Sequence, residues 1–264
     1  SEQAKNVKKI VNYLSADVYA FAEVVDTTLF RNSVLPTGYN VIFSDFGSFA
    51  DNKSDPDYAS AQKLAFMYRT DLIKPIRTLG ILRDSYAPGI PQSSADGSAY
   101  KNWSSGRFPF MMEAEVKIAG KKENINFIQI HAKANTGSNL EKIEAYHRRR
   151  NGNLQLKNWI DENLKHKKVI ILGDFNDVLE SDKTIAPLPP GTSTSYLAFI
   201  TDMANYFPVS VDLSLAGKQS TVHFNTLIDN VIVNKNLMPN YVPKSVAVLD
   251  EVKDLAINYG NTTS

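Results

Sequence analysis

Cysteine is absent from the 264 residues. That excludes disulfides and thiolate metal sites, so any bound metal must take oxygen or imidazole ligands. It also gives a slight lean toward an exported, secreted or periplasmic protein. Long apolar runs are missing too. None approaches the roughly 18 residues of a membrane span, and the sequence shows no signal peptide. Ser1 opens directly onto a helix pattern, which points to a removed natural N-terminus. An excess of either charge is also lacking, since 29 Lys and Arg against 28 Asp and Glu leave a formal net charge of +1. A chain that lives on non-specific DNA binding carries a strong basic excess. The balance therefore argues against that role, while leaving room for a local basic patch. Internal repeats and low-complexity linkers are absent as well.

What is present suffices for one sizeable core, with hydrophobic residues at 43% in a length that a single sandwich domain can reach. Val7, Ile10, Val11 and Leu14 keep the i, i+3, i+4, i+7 spacing of an amphipathic helix. Residues 18–25 read as a buried strand and 39–43 as a second. Residues 63–69 and 72–82 read as a strand pair turning at Arg69-Thr70-Asp71. Residues 87–105, rich in Pro, Ser and Gly, read as loop. Residues 108–118 and 125–132 form a hairpin across Gly120-Lys121-Lys122. The longest helix pattern runs over 140–164, with Asn139 as its cap and Leu154, Leu156 and Trp159 as apolar contacts. Residues 168–172 are a short apolar strand, 179–208 mostly loop, and 222–234 and 245–249 further strands. Strands outnumber helices and run mostly as antiparallel neighbours. The expected class is α+β: two sheets packed face to face with flanking helices, a layered sandwich.

Polar residues interrupt these apolar strands at a few places. Glu23 stands in Phe21-Ala22-Glu23-Val24-Val25, where a carboxylate is costly to bury unless paired or metal-bound; an ordinary strand-end salt bridge would use the same residue. Ile170-Ile171-Leu172-Gly173-Asp174-Phe175-Asn176 delivers Asp174 and Asn176 two residues apart, so both can face one side. Such a pair can position a water and a phosphate oxygen together, although a strand followed by an Asx turn looks the same. His131 closes the strand Ile128-Gln129-Ile130-His131, fit either to donate to a phosphate oxygen or to serve as a structural hydrogen-bonder. Asp229 interrupts Leu227-Ile228-Asp229-Asn230-Val231 and can orient a histidine as a triad aspartate does, or merely start a strand. Arg107, ahead of a strand in Ser105-Gly106-Arg107-Phe108, can fork onto a phosphate or lie on the surface. The run His147-Arg148-Arg149-Arg150 spreads around a helix at about 100° per residue, so it reads as a solvated face with one Arg turned inward.

Taken in chain order, Ala22-Glu23-Val24, Gly106-Arg107, His131, Gly173-Asp174-Phe175-Asn176 and Ile228-Asp229 resemble the endonuclease/exonuclease/phosphatase superfamily. That group includes deoxyribonuclease-I-like nucleases, abasic-site endonucleases, sphingomyelinases and inositol-polyphosphate phosphatases. Gly-Asp-Phe-Asn is the most specific single piece, and the ordered set covers nearly the whole chain as one domain. The resemblance implies a four-layered α/β-sandwich with its site at one edge of the two sheets. It implies Mg²⁺, or Mn²⁺ or Ca²⁺, with Glu23 as the metal ligand. Asp174 would activate the attacking water, Asn176 hold the phosphate, His131 donate to a phosphate oxygen, Arg107 contact the phosphate and Asp229 orient a catalytic histidine. The implied substrate is a phosphoester, with nucleic acid among the candidates.

Two departures accompany the resemblance. The family opens on a strand carrying an Asn near the metal, and here the first pattern is the helix after it. The family ends on Ser-Asp-His, where this chain stops at Asn261-Thr262-Thr263-Ser264; none of His131, His147, His166 or His223 stands in such a context. The chain is either trimmed or a degenerate member, and the retained Glu23, Asp174, Asn176 and Asp229 favour trimming. The enzyme reading is a nuclease or phosphodiesterase first and a lipid or sugar phosphatase second. The rival from another class is an inactive phosphate- or partner-binding module.

Overall fold

The computed structural model describes residues 1–83, 98–221 and 225–256. Helix α1 (Glu2–Leu14) starts where the Ser1 hydroxyl accepts from the Ala4 N–H, and stops at Ser15 in the left-handed conformation. Strand β1 (Val18–Val24), helix α2 (Thr27–Ser33), strand β2 (Tyr39–Phe43), strand β3 (Lys63–Arg69) and strand β4 (Ile73–Gly80) follow. Next come a one-turn helix α3 (Ala99–Asn102), strands β5 (Phe110–Ile118) and β6 (Lys121–His131), the long helix α4 (Asn139–Asn163) and strand β7 (Lys168–Asp174). Helix α5 (Leu197–Ile200), strand β8 (Tyr206–Phe207), helix α6 (Val211–Leu215) and strand β9 (Asp229–Asn234) complete the layers.

The strands make two sheets, one ordered β1-β3-β2 and one ordered β4-β5-β6-β7-β9-β8. All pairings are antiparallel except β6 with β7. The centre strand β3 shows how the sheets pack. Leu64, Phe66 and Tyr68 join the core between the sheets, while Ala65 and Met67 face a second core under α1 and α2. Phe66 stacks on Phe110 at 5.6 Å and meets Phe127 edge-on at 6.3 Å, tying the small sheet to the large one. Helix α4 puts Leu156 and Ile160 into the large core alongside Val169 and Ile171 of β7. Helices, small sheet, large sheet and helix thus give the expected four-layered α+β sandwich.

Several expectations change. Residues 63–69 and 73–80 are both strands, but they do not pair with each other and lie in different sheets. Both edges of β3 are already filled by β1 and β2, so the chain after Thr70-Asp71 crosses to the other sheet. The hairpin of β5 and β6 turns tightly at Ala119 and Gly120, both at positive φ. Helix α4 is capped by Ser138, not Asn139, in a reciprocal box with Glu141. Leu154 stays about half exposed, whereas Leu156 is fully buried. Within 87–105, residues 98–105 contain α3, and 84–97 lie outside the described residues. The stretch 179–208 holds α5 and β8. The strand expected over 222–234 begins only at Asp229, because the Ser220 hydroxyl takes the N–H groups of Ile228 and Asp229; residues 222–224, with His223, and the C-terminal 257–264 lie outside the description. Residues 245–249 form no strand.

Candidate active site

The two sheets bring four strand ends together at one edge. In the large sheet β6 and β7 run parallel, so His131 and Asp174 stand side by side as ladder partners. β9 runs antiparallel to β7, which places Asp229 opposite Asp174. The parallel approach is tight: Gly173 sits at φ 127°, and a Cβ there would meet the Ile130 carbonyl oxygen at 2.2 Å. After β7 the Asn176 N–H donates to Asp174 Oδ1 at 2.8 Å, an Asx turn that holds Asn176 at φ 50°. Asn176 Nδ2 donates to the Ala132 carbonyl at 3.1 Å, so the loop after β6 and the turn after β7 are locked together.

Glu23 arrives from the small sheet. The β1–β3 ladder slips between Phe21 and Val24, and Glu23 lies in that bulge at φ 61°. Bulges of this kind re-aim a side chain at the rim of a sheet. The carboxylate is not buried, as its strand context suggested; 62% of the side chain is exposed. It faces His131, whose Nε2 stands 3.7 Å from Glu23 Oε1 and 3.5 Å from Asp174 Oδ2. The buried Lys63 fixes the strand end behind it by donating from Nζ to the Val25 carbonyl at 2.7 Å and the Tyr58 carbonyl at 2.6 Å.

Gln62 bridges the two sides, donating to Glu23 Oε1 at 3.2 Å and accepting from Arg107 Nη1 at 2.6 Å. Arg107 is 5% exposed. It also donates from Nε to the His131 carbonyl, and from Nη2 to Ser104 Oγ and the Ala132 carbonyl. Most of its donors therefore hold the loop after β6, and few are left for a ligand. Burial lowers its pKa to about 10, so it remains a cation at neutral pH.

Below the Asp174–Asn176 turn lies a buried polar frame that the sequence reading did not single out. Asp177 accepts from the N–H groups of Val178, Ile185 and Ser195 and from the hydroxyls of Thr184 and Ser195. Arg149, the inward residue of the basic run, donates to the Lys133 carbonyl at 2.8 Å and places Nη2 3.9 Å from Asp177. A signal existed, since Asp177 continues the polar run begun by Asp174 and Asn176. For Gln62 and Lys63, at the head of an apolar strand, no sequence signal marks a role.

Burial pushes the Asp174 carboxyl up to about 7, and the facing Asp229 adds to the rise. Asp229 is exposed at the start of β9, yet protein around it still raises its pKa through desolvation, with the Ser220 hydrogen bond opposing. Burial, followed by the Arg107 charge, pushes the His131 imidazole down to about 3, so it is neutral at neutral pH. These two shifts tilt stability in opposite directions. Native Asp174 keeps a proton that the unfolded chain releases between 3.8 and about 7, so stability falls as pH rises through that window. Native His131 refuses a proton that the unfolded chain accepts between 6.5 and about 3, so stability falls as pH drops through that window. In EDTA, Asp174→Asn is therefore expected to make stability rise more steeply with pH between about 4 and 6.5, and His131→Asn to make it fall between about 4 and 7. Urea denaturation across this range reads both slopes; wild-type slopes in both variants would refute the assignment.

Among the described residues no three carboxylate or histidine side chains form a metal cage. The donor set still suits a hard, mostly hydrated divalent ion, which takes one or two carboxylates and keeps its waters. Glu23, the expected metal ligand, is exposed, and its Oε1 accepts from the Gln62 amide at 3.2 Å.

No family model and no curated protein matches the chain. Solved structures do. The catalytic domain of Xenopus laevis APE2 aligns at TM-score 0.60 and 15% identity, over 90% of this chain and 80% of that one. A Leishmania major AP endonuclease aligns at 0.57 and 12%, over 92% and 77%. A Bacteroides thetaiotaomicron mannosyl-6-phosphatase aligns at 0.55 and 17%, over 89% and 78%.

Proposed function

We propose that this chain, which has the fold of the endonuclease/exonuclease/phosphatase structures, is a divalent-metal-dependent hydrolase of phosphoester bonds. A nuclease or phosphodiesterase activity comes first. The observation that carries the reading is the meeting of Glu23, His131, Asp174, Asn176 and Asp229 at one sheet edge, with Asp174 pushed up to about 7. A carboxylate near pH 7 is suited to accept a proton from water and release it again.

Glu23 would hold the ion, with Mg²⁺ the first choice and Mn²⁺ or Ca²⁺ as substitutes. The bound ion supplies neutralisation of charge on the phosphoryl oxygens. Asp174 positions the attacking water and takes its proton as the new P–O bond forms and the P–O bond to the leaving oxygen breaks; the departing alkoxide takes a proton from solvent water, and Asp174 releases its own to solvent. Burial first, and then Asp229 across the ladder, keep Asp174 basic enough to take that first proton. Asn176 borders the phosphate position, held there by its left-handed turn. His131, neutral, offers one N–H toward the same space. Arg107 keeps the loop beneath in place and adds positive charge from behind it.

The sugar-phosphatase reading is supported by the mannosyl-6-phosphatase among the neighbours. A phosphate- or partner-binding module without turnover is the third reading. One experiment separates the three. Hydrolysis of bis-p-nitrophenyl phosphate, plasmid DNA and mannose 6-phosphate is measured in Mg²⁺, Mn²⁺, Ca²⁺ and EDTA. Turnover of a diester that EDTA abolishes is expected. Turnover of the monoester alone selects the phosphatase. Silence on every substrate in every ion leaves the binding module.

A further inference from the structure

The loop after β2 shows its ring to solvent at a cost. Phe49 lies at φ 63° and is 66% exposed. A bulky L-residue rarely holds a left-handed backbone, and such strain persists where the surroundings impose it, often at functional sites. The surroundings here are rigid. Gly47 and Ala50 exchange both backbone hydrogen bonds, at 3.0 and 3.1 Å, closing a tight turn around Phe49. Phe46 and Ala50 are fully buried beneath it, and Phe46 meets Phe108 and Phe110 edge-on. Among the described residues the Phe49 ring itself has no aromatic or cationic partner.

A second strained loop clasps the first. The Phe49 N–H donates to the Ser105 carbonyl at 2.7 Å. Ser104, Ser105 and Gly106 are left-handed in succession, at φ 52°, 62° and 105°, and lead straight into Arg107. A Cβ on Gly106 would meet the Gly47 carbonyl oxygen at 3.0 Å, so the two loops touch backbone to backbone. The exposed ring is thus one clasp away from the arginine that binds the His131 carbonyl and the Gln62 bridge to Glu23.

We propose that Phe49 is a stacking platform for one nucleobase, carried beside the scissile phosphate of a short nucleotide phosphoester. The inference rests on the hydrolase reading above and deepens it. A flat, exposed, rigidly mounted ring accepts any base on its π-face. The charge around it limits the ligand's length. Asp45, Asp51, Asp55 and Asp57 outnumber Lys53 in the same loop region, and Arg83 is already paired to Asp45. A long nucleic-acid strand needs a track of Lys and Arg for its phosphates, and this loop repels one. A single base with its one phosphate at the sheet edge avoids that repulsion.

The test compares a thymidine dinucleotide with glycerophosphocholine, a diester without a ring. The expected result is that Phe49→Ala lowers the ratio of kcat/KM for the dinucleotide over glycerophosphocholine about tenfold, mainly through KM, and that Phe49→Trp restores it. An unchanged ratio overturns the proposal, even if both rates fall together. Wild-type turnover of glycerophosphocholine without turnover of the dinucleotide also overturns it, and leaves the hydrolase reading standing. If neither diester is hydrolysed the diesterase reading falls, and calorimetric titration with the dinucleotide still decides about Phe49: about tenfold weaker binding by Phe49→Ala supports the platform, and equal or no binding by both proteins overturns it. A selective loss on mannose 6-phosphate, with the dinucleotide ratio unchanged, assigns the ring to a sugar and overturns the base.

Discussion

Gly173→Ala is expected to lower the melting midpoint by about 10 °C, the largest stability loss of a methyl added at any glycine among the described residues. The added Cβ would stand 2.2 Å from the Ile130 carbonyl oxygen and 3.2 Å from the Ile130 nitrogen, both backbone atoms of the neighbouring strand. No side-chain rotation relieves a backbone clash, so β6 and β7 must separate at the one parallel pairing of the large sheet. Left-handed strain at φ 127° adds to the overlap. Strain of roughly 1–3 kcal/mol and overpacking of a similar size together give about 2–6 kcal/mol. At about 2–4 °C per kcal/mol for a domain of this length, that is a shift on the order of 10 °C. Gly191→Ala is the matched control. Gly191 is also left-handed, at φ 80°, but a Cβ there meets nothing within 4 Å. Its loss should stay near 1 kcal/mol from strain alone. Equal midpoints for the two variants in a calorimetric scan would show that Gly173 is chosen for its φ and not for the close approach.

The same position shows what the sequence could and could not reveal. Gly173 was readable as a residue that leaves room, but its partner was not, because nothing local says that β6 and β7 run parallel. Strand existence was legible wherever apolar and β-branched residues clustered, and residues 39–43 and 63–69 match β2 and β3 at both ends. Strand pairing was not: 63–69 and 73–80 look like a hairpin until both edges of β3 are seen to be filled. The cap of α4 lay within reach, since Ser138 and Glu141 keep the spacing of a capping box. At the site, the strand-end residues stood out because polar groups interrupt apolar runs. Glu23 was noticed for the wrong reason, because a bulge turns it outward and the assumed burial never arises. Backbone dihedrals leave no periodic trace in a sequence. Gln62 and Lys63 were missed for a related reason: each acts through one contact to a distant strand end, and no composition or spacing encodes such a contact.

Asp174→Asn is expected to lower kcat for the metal-supported hydrolysis by 100-fold or more while the folded protein becomes more stable above pH 7. The amide is nearly isosteric with the carboxylate and keeps an oxygen for the Asn176 N–H, so the turn after β7 survives. It cannot take a proton from water, and loss of a positioned general base removes about 10²–10⁴ in rate. The stability gain has a separate source. Burial and the facing Asp229 disfavour the Asp174 carboxylate, which is why its pKa stands at about 7. Above that pH the wild-type protein carries the charge in a place that disfavours it, and the variant does not. A merely structural role for Asp174 predicts the reverse, a loss of activity that follows a loss of stability. Kinetic assays at saturating metal, paired with thermal unfolding at pH 8 in EDTA, read the two effects independently. If activity falls and the midpoint falls with it, Asp174 is a scaffold of the turn. If activity persists while the midpoint rises, the proton goes elsewhere, and Asp229, the other raised carboxyl on the same ladder, is the next residue to replace.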